Sequence, residues 1–385
     1  MSEVFSSKRF RSTPLSTLEP ILLKFIDLCV ELKKGRTAKE GLHLYKNVAQ
    51  NTSVGSVEVV IKHFLAQSKG KLAAALAKVD ELEGPAPEQQ QQQVAKTGDD
   101  DATATTATQL DVDDLEAANS PESILLSAVS DDKSRDRTYR AVVTPWLRFL
   151  WEAYRTALDI LRNNARLEVL YQSISYEAFQ FCVTHQRKTE FRRLAETLRS
   201  HLVSSQKNVS HPFAINLNDP ETLQRHLDTR FGQLNTAVGL ELWQEAFRTA
   251  EDIHGLLGMS RRAPRNSMMA SFFDKMVRVF GVGQNYLFHA AAYSKLYGLH
   301  TLRVTSLGDK ASDGDVAEYE KLASLVLLST LSIPLTQDMA IDAARRREGG
   351  IDEGEARGKL GRLSALLGFS TPPTRASLLD DIVSG

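Results

Sequence analysis

The chain has 385 residues, of which 42% are hydrophobic and 25% are charged, and its formal net charge is -1. This length leaves room for two domains or for one long repeat array with a substantial core. The charge balance excludes a polybasic or strongly acidic protein, and no apolar run reaches the roughly 18 residues that a membrane-spanning helix needs.

The amino-terminal part, residues 1–83, is predicted to form the first helices. Its opening stretch, MSEVFSSKRFRSTP, lacks the apolar run of a signal peptide, so we expect a cytoplasmic protein. Segment 21–32 is apolar on most sides, which is typical of a helix packed between neighbours. Cys29 and Cys182, the two cysteines, lie among apolar residues and are predicted to be small buried side chains.

Residues 84–119 differ in composition from the rest of the chain. They contain GPAPEQQQQQ, an Ala/Thr tract and eight acidic residues against one lysine, a local charge of -7. So few apolar side chains cannot offset the entropy lost on ordering, and we therefore predict a disordered insert. Because the total is -1, the remaining chain carries +6. Such a body is compatible with docking on an anionic surface, and equally with an ordinary solvated surface of mixed charge.

Helical periodicity dominates residues 120–333, where apolar residues recur every three or four positions. The helices are predicted to pair as 144–164 with 166–186, 187–204 with 220–237, 239–258 with 267–283, and 284–300 with 315–330. Each pair takes some forty residues, which indicates a right-handed helical-repeat solenoid of the TPR or HEAT kind. The predicted fold class is all-α.

Three positions in this region show the sequence pattern of a helix start. A residue with a capping oxygen stands directly before a proline in Ser120-Pro121, Thr144-Pro145 and Asp219-Pro220. Proline suits the first helical position because its missing N–H would find no partner there. We therefore predict that three separate helices begin at these points.

Enzyme motifs are not found in the sequence. Gly281-Val282-Gly283 begins a dinucleotide-binding pattern, but Tyr286 replaces the next required glycine. Residues 354–359 (GEARGK) lack the Ser/Thr that follows the lysine of a phosphate-binding loop, and the histidines fall singly. We predict a non-catalytic chain with no metal and no cofactor. The alternative, an unrecognised enzyme, would show a deep pocket with titratable groups of perturbed pKa.

Basic residues form the candidate binding sites. In segment 187–202 one apolar stripe leaves another face to basic side chains, which suits RNA phosphates or an acidic partner. The stripe consists of Phe191, Leu194, Leu198 and Leu202. The candidates on this segment are Lys188, Arg192, Arg193 and Arg199. Two smaller candidate clusters are Lys33, Lys34, Arg36 and Lys39, and Arg261, Arg262 and Arg265. The alternative interpretation of each is a solvated helix face.

Several long blocks resemble the largest subunit of eukaryotic translation initiation factor 3. They include EPILLKFIDLCVELKKGRTAKEGLHLYKNVAQ from Glu19, RDRTYRAVVTPWLRFLWEAYRTALDILRNN from Arg135, INLNDPETLQRHLDTRF from Ile215, and LSALLGFSTPPTRASLLDDIV from Leu363. The blocks follow the order of the family, and such collinearity is more specific than any single motif.

The resemblance implies a scaffold. Family members help to bind the small ribosomal subunit, to recruit mRNA and initiator tRNA, and to contact mRNA or rRNA. They assemble with other subunits of the factor, notably its c subunit. Residues 1–83 would be a truncated helical repeat, 84–119 the insert, 120–333 the repeat arm, and 334–385 the start of a PCI module without its winged helix. The alternative is a PCI-type scaffold of another complex, the proteasome lid or the signalosome.

Overall fold

In a computed structural model, the chain is all-helical over the residues that the structure describes. These residues are 15–83, 115, 139, 141–207, 214–260, 263–307, 313–334 and 351–384, and no strand occurs among them. The chain divides into two compact units between Asn216 and Leu217. This division falls inside the predicted 120–333 arm, and the four predicted domain ranges stay predictions.

The first unit is a helical array with an aromatic core. Its helices are α1 (Leu15–Glu31), α2 (Gly35–Thr52), α3 (Val54–Glu83), α4 (Thr144–Leu161), α5 (Glu168–Thr184) and α6 (Lys188–Lys207). Helices α1, α2 and α3 pack on one another, and α4 packs on α2, α3 and α5. Phe64 of α3 meets Phe149 of α4 edge to face at 6.1 Å, and both rings are almost fully buried. Large aromatic areas of this kind dominate core energetics.

The second unit continues the helical pattern. Its helices are α7 (Pro220–Gly239), α8 (Trp243–Met259), α9 (Asn266–Val282), α10 (Tyr286–Leu307), α11 (Asp313–Leu331), α12 (Ile351–Leu366) and α13 (Arg375–Ser384). Phe231 of α7 lies 6.3 Å from Phe272 of α9, and these rings close the core between those helices. Tyr297 of α10 stacks on Tyr319 of α11 at 5.1 Å, and their hydroxyl oxygens are 2.6 Å apart.

Four helix pairs are joined by the same three-residue turn. The turns connect α1 to α2, α5 to α6, α7 to α8, and α9 to α10, and the central residue of each has a positive φ: Lys33 (55°), Gln186 (52°), Glu241 (59°) and Gln284 (53°). In every turn the N–H of the third residue donates a hydrogen bond to the carbonyl oxygen five residues earlier, as from Arg187 to Cys182 at 2.8 Å. This Schellman arrangement satisfies carbonyls that the helix end leaves without a partner.

These turns show that the predicted helix pairs are shifted by one helix along the chain. The tight hairpins of the second unit are α7 with α8 and α9 with α10, whereas the sequence pattern groups 239–258 with 267–283. Helix α8 packs less extensively on α9 than on α7. The prediction was wrong because residues with a left-handed backbone are usually glycine, and none of the four is.

Of the three predicted helix starts, the structure describes two, and it confirms one of these in full. Helix α7 begins at Pro220, and the Asp219 carboxylate accepts a hydrogen bond from the Thr222 N–H at 3.2 Å, as expected of an N-cap. Helix α4 begins at Thr144, but the residue at the cap position is Val143 and no side chain caps this end. The Thr144 cap prediction was therefore wrong. The predicted start at Ser120 lies outside the described residues.

Among the described helices, α1 packs on α2 and α3 and leaves part of its apolar surface exposed, which corrects the prediction of an inner helix. Leu22 and Ile26 are fully buried, but Leu28 is 50% exposed and Leu32, just beyond the helix, is 63% exposed. Cys29 and Cys182 are buried, as predicted, and they form no disulfide with each other. Burial raises the pKa of both thiols.

Leu115 departs from the predicted disorder of residues 84–119. Its side chain is 2% exposed, and its backbone N–H donates a hydrogen bond of 2.8 Å to Oε1 of Glu190 in α6. Glu190 is itself 1% exposed, so this contact gives its carboxylate a donor in a buried position. The other residues of the insert lie outside the described residues, and for them disorder stays a prediction.

Two changes should separate Leu115 from the rest of the insert. Removing 88–110 should change the free energy of unfolding by less than about 1 kcal/mol, because loop closure depends weakly on length. Replacing Leu115 by Ala should cost about 2–4 kcal/mol through lost burial and the cavity that remains. Urea denaturation of both variants measures this difference. Equal stability of the Leu115→Ala variant and the unaltered chain would show that Leu115 is not part of the core.

Gly41 and Gly70 should respond oppositely to alanine. A Cβ at Gly41 of α2 would strike the ring of Phe25 in α1, so Gly41→Ala should destabilise the chain by about 1–3 kcal/mol. At Gly70 of α3 a Cβ would meet nothing within 4 Å, and alanine there should stabilise by about 0.5–1 kcal/mol. Thermal unfolding followed by circular dichroism checks both signs. A stabilising Gly41→Ala would show that α1 and α2 do not approach this closely.

Candidate nucleic-acid interface

Helix α6 carries the main predicted basic row. Its apolar stripe is confirmed as core at Phe191, Leu194 and Leu198, which are at most 3% exposed. Leu202, the last predicted member, is only partly buried. Of the basic residues, Arg192 is exposed, whereas Lys188 and Arg193 are partly covered. Sequence spacing on a helix places side chains on faces, but it does not show how far the neighbouring helix covers them.

Arg199 contributes less to this row than its spacing indicates. Its side chain is only 20% exposed, and its guanidinium lies 2.7 Å from the Glu196 carboxylate, one turn earlier. Such a pair keeps the arginine occupied on its own helix, although a surface pair of this kind contributes at most about 1 kcal/mol to stability. The most accessible part of the predicted row is therefore centred on Arg192.

The predicted cluster at the turn between α1 and α2 is exposed throughout. Lys33, Lys34, Arg36 and Lys39 all project to solvent. The ammonium of Lys33 lies 4.5 Å from the centre of the Trp146 ring, a cation–π contact that joins this turn to α4. Lys39 lies 3.7 Å from Asp159 of α4. Two members of the cluster therefore lie against the same neighbouring helix.

The third predicted cluster is described only in part. Arg265 is exposed and directly precedes α9. Arg261 and Arg262 lie outside the described residues. The three clusters are thus on α6, on the α1–α2 turn and before α9, and Arg265 belongs to the second compact unit. Their role in binding stays a prediction.

Sequence reasoning missed further basic groups beside Lys39. His43 and Lys46 follow it on α2, and Arg162 projects from the carboxyl end of α4. The side chains of His43 and Arg162 each lie 3.4 Å from Asp159, which is also the partner of Lys39. We name the residues Arg36, Lys39, His43, Lys46, Asp159 and Arg162 the α2–α4 basic junction. The signal in the sequence was the 3-4-3 spacing of four basic residues from Arg36 to Lys46.

Burial and neighbouring cations lower the pKa of two groups in the α2–α4 basic junction. Burial lowers the pKa of His43, and Asp159 raises it less than burial, Lys39 and Lys46 together lower it. Burial likewise lowers the pKa of Lys46, and nearby Arg162 adds to that effect against the attraction of Asp159. One carboxylate is thus shared among more cationic groups than it can neutralise.

The rejected enzyme motifs lie in helices. Gly281 and Val282 end α9, Gly283 follows it, and residues 354–359 lie within α12, so neither forms a loop that could cradle a phosphate. In the described ranges, no three His, Cys, Asp or Glu side chains are grouped so that they could hold a metal ion. None of the described helices is both long and apolar enough to cross a membrane.

The whole sequence matches a known protein family. The family model "eIF3a, PCI domain, TPR-like region" matches residues 1–385. The chain belongs to the eIF3a family. This membership confirms the resemblance found in the sequence, and the all-α fold agrees with the helical-repeat region that the family model describes.

Fungal members of the eIF3a family are close in sequence. The chain is 51% identical to the A subunit of eukaryotic translation initiation factor 3 from Aspergillus niger over 391 residues, and 50% identical to those of Mycosarcoma maydis over 388 and Neurospora crassa over 391. Each match covers 100% of this chain and 35% of the relative. The chain therefore spans about a third of the length of these curated relatives. The alternative assignment to the proteasome lid or signalosome is set aside.

The α6 row can be tested by reversing two of its cations, Lys188 and Arg192. We expect Lys188→Glu with Arg192→Glu to leave the fold unchanged and to weaken binding to small ribosomal subunits about tenfold, with a shallower salt dependence. Cosedimentation at several salt concentrations measures both quantities. Arg199 is left unaltered because its guanidinium is already paired with Glu196 at 2.7 Å, so replacing it would also break that pair.

Lys71→Glu with Lys78→Glu is the matched control for this variant. Both lysines lie on α3, and the double change alters the net charge by the same amount. If the α6 variant and this control bind small subunits equally well at every salt concentration, the α6 row is an ordinary solvated face.

Proposed function

We propose that this chain is a non-catalytic scaffold region of translation initiation factor 3. In this proposal it assembles in the cytoplasm with other subunits of the factor, notably the c subunit, and helps to bind the small ribosomal subunit. Through that assembly it assists the recruitment of mRNA and initiator tRNA. The observation that carries the proposal is the match of residues 1–385 to the eIF3a family, with relatives at about half identity.

The physical character of the described helices supports a binding role. Helical hairpins that bury their inner faces against neighbours leave long outer faces for partners. Basic side chains occur on several of these faces, including Arg192 on α6 and Lys34 and Arg36 near the start of α2. Outside the acidic insert the chain carries +6, which favours encounter with the anionic surface of a ribosome.

Cosedimentation with separated ribosomal subunits tests the proposal. We expect the 385-residue chain to pellet with purified small subunits, to pellet much less with large subunits, and to be displaced by intact initiation factor 3. Displacement matters because non-specific electrostatic binding would survive an excess of the competing factor at moderate salt. Equal pelleting with both kinds of subunit, or pelleting that the factor does not displace, would contradict the proposed function.

Capture of the c subunit is a separate measurement. We expect immobilised chain to retain the purified c subunit through a wash at moderate salt, and immobilised serum albumin, the control, to lose it. Equal loss from both supports would remove the c subunit from the partners of this region and leave the ribosome result to stand by itself.

A further inference from the structure

Helix α2 presents a continuous basic stripe beside α4. Arg36, Lys39, His43 and Lys46 are separated by three, four and three residues, the spacing of one helix face, and the stripe extends about 15 Å along the axis. The face next to it is core, because Ala38, Leu42, Tyr45 and Ala49 are at most 3% exposed. The packed side holds the helix in place, so the basic groups stand on a rigid support.

The stripe carries more positive charge than the two carboxylates of α4 beside it, Asp159 and Glu152, can balance. Arg36, Lys39, Lys46 and Arg162 are cationic, and Asp159 is the carboxylate that Lys39, His43 and Arg162 share. Glu152 of α4 lies against Gly35 at the amino end of α2, where a carboxylate meets the positive end of the helix dipole. Like charges held this close repel one another, and a bound anion relieves that repulsion.

The surroundings of the stripe favour contacts to a phosphate backbone over contacts to bases. The aromatic side chains of α2 and α4 cannot stack on bases: Tyr45, Phe149, Trp151 and Tyr154 are at most 4% exposed, and Lys33 lies over Trp146. Single-strand binders combine positive charge with exposed aromatic rings, and that second feature is missing from these two helices. A rigid row of cations instead suits the regularly spaced phosphates of double-helical RNA.

We propose that the α2–α4 basic junction binds the phosphate backbone of double-helical RNA. Lys39 and Lys46 contact phosphates directly, Arg162 contacts them from α4, and Asp159 restrains binding by competing for the same cations. The idea deepens the proposed function, since folded ribosomal RNA is rich in double helix. It is tested with RNA alone, so its failure would leave binding to the small ribosomal particle unaffected.

Two variants with opposite expected effects test the junction. Fluorescence anisotropy of a labelled RNA duplex of about 16 base pairs is measured with the 385-residue chain over a series of salt concentrations. Lys39→Gln with Lys46→Gln should weaken binding about tenfold and reduce the salt slope by about 2, because two phosphate contacts are lost. Asp159→Asn should strengthen binding by about threefold, since it removes the competing carboxylate.

The controls separate this surface from general charge effects. Lys71→Gln with Lys78→Gln on α3 has the same seven-residue spacing and the same loss of charge, and it should bind duplex as the unaltered chain does. Circular dichroism confirms that each variant is folded. Tighter binding by Asp159→Asn could not result from misfolding, because an unfolded chain would not gain affinity for the duplex.

The proposal requires both opposite effects and a preference for double-helical RNA. It is overturned if the Lys39 and Lys46 variant binds duplex as tightly as the α3 control, or if Asp159→Asn fails to tighten binding. It is also overturned if a poly-glutamate peptide of equal charge binds as well as the duplex, which would indicate an acidic protein partner. Tighter binding of a single strand of equal length would likewise exclude recognition of the double helix.

Discussion

The short turn between paired helices is the constraint on which both units depend. Three residues must reverse the chain and satisfy the carbonyls at the end of one helix, and they do so by placing one residue in the left-handed backbone region. For a residue with a side chain this conformation costs about 1 kcal/mol. The turn brings the two helices side by side at once, so each hairpin buries its apolar stripes locally and presents its outer faces to partners.

Charge is distributed unevenly over those outer faces. On α6, Glu196 forms an ion pair with Arg199, and the buried Glu190 accepts a hydrogen bond from the backbone N–H of Leu115. At the α2–α4 basic junction a single carboxylate, Asp159, is shared among three basic side chains. The same residue types therefore give paired charges on α6 and an excess of positive charge at the α2–α4 basic junction. Helix packing decides between these outcomes, because it fixes which carboxylates come within about 4 Å of each cation.

The sequence predicted features that depend on local spacing and missed those that depend on contacts between helices. Phe191, Leu194 and Leu198 are core residues because helical spacing alone places them on one face. The sequence did not show which consecutive helices form hairpins, because Gln186 and Glu241 stand at turn positions where glycine is the usual residue. Arg162 lies more than a hundred residues from Lys39, so only the packing of α4 on α2 brings both to Asp159. Leu115 was missed because it lies among Asp113, Asp114 and Glu116, in a stretch whose composition indicates disorder.

The two buried cysteines make the molecule convenient to study by site-directed labelling. Cys29 and Cys182 occupy equivalent positions at the ends of α1 and α5, where their carbonyls close the turns. Only a thiolate attacks a maleimide at an appreciable rate, and burial keeps both sulfur atoms protonated and covered. A cysteine introduced on an exposed helix face would therefore react first, so a dye could be attached there without first replacing the native cysteines.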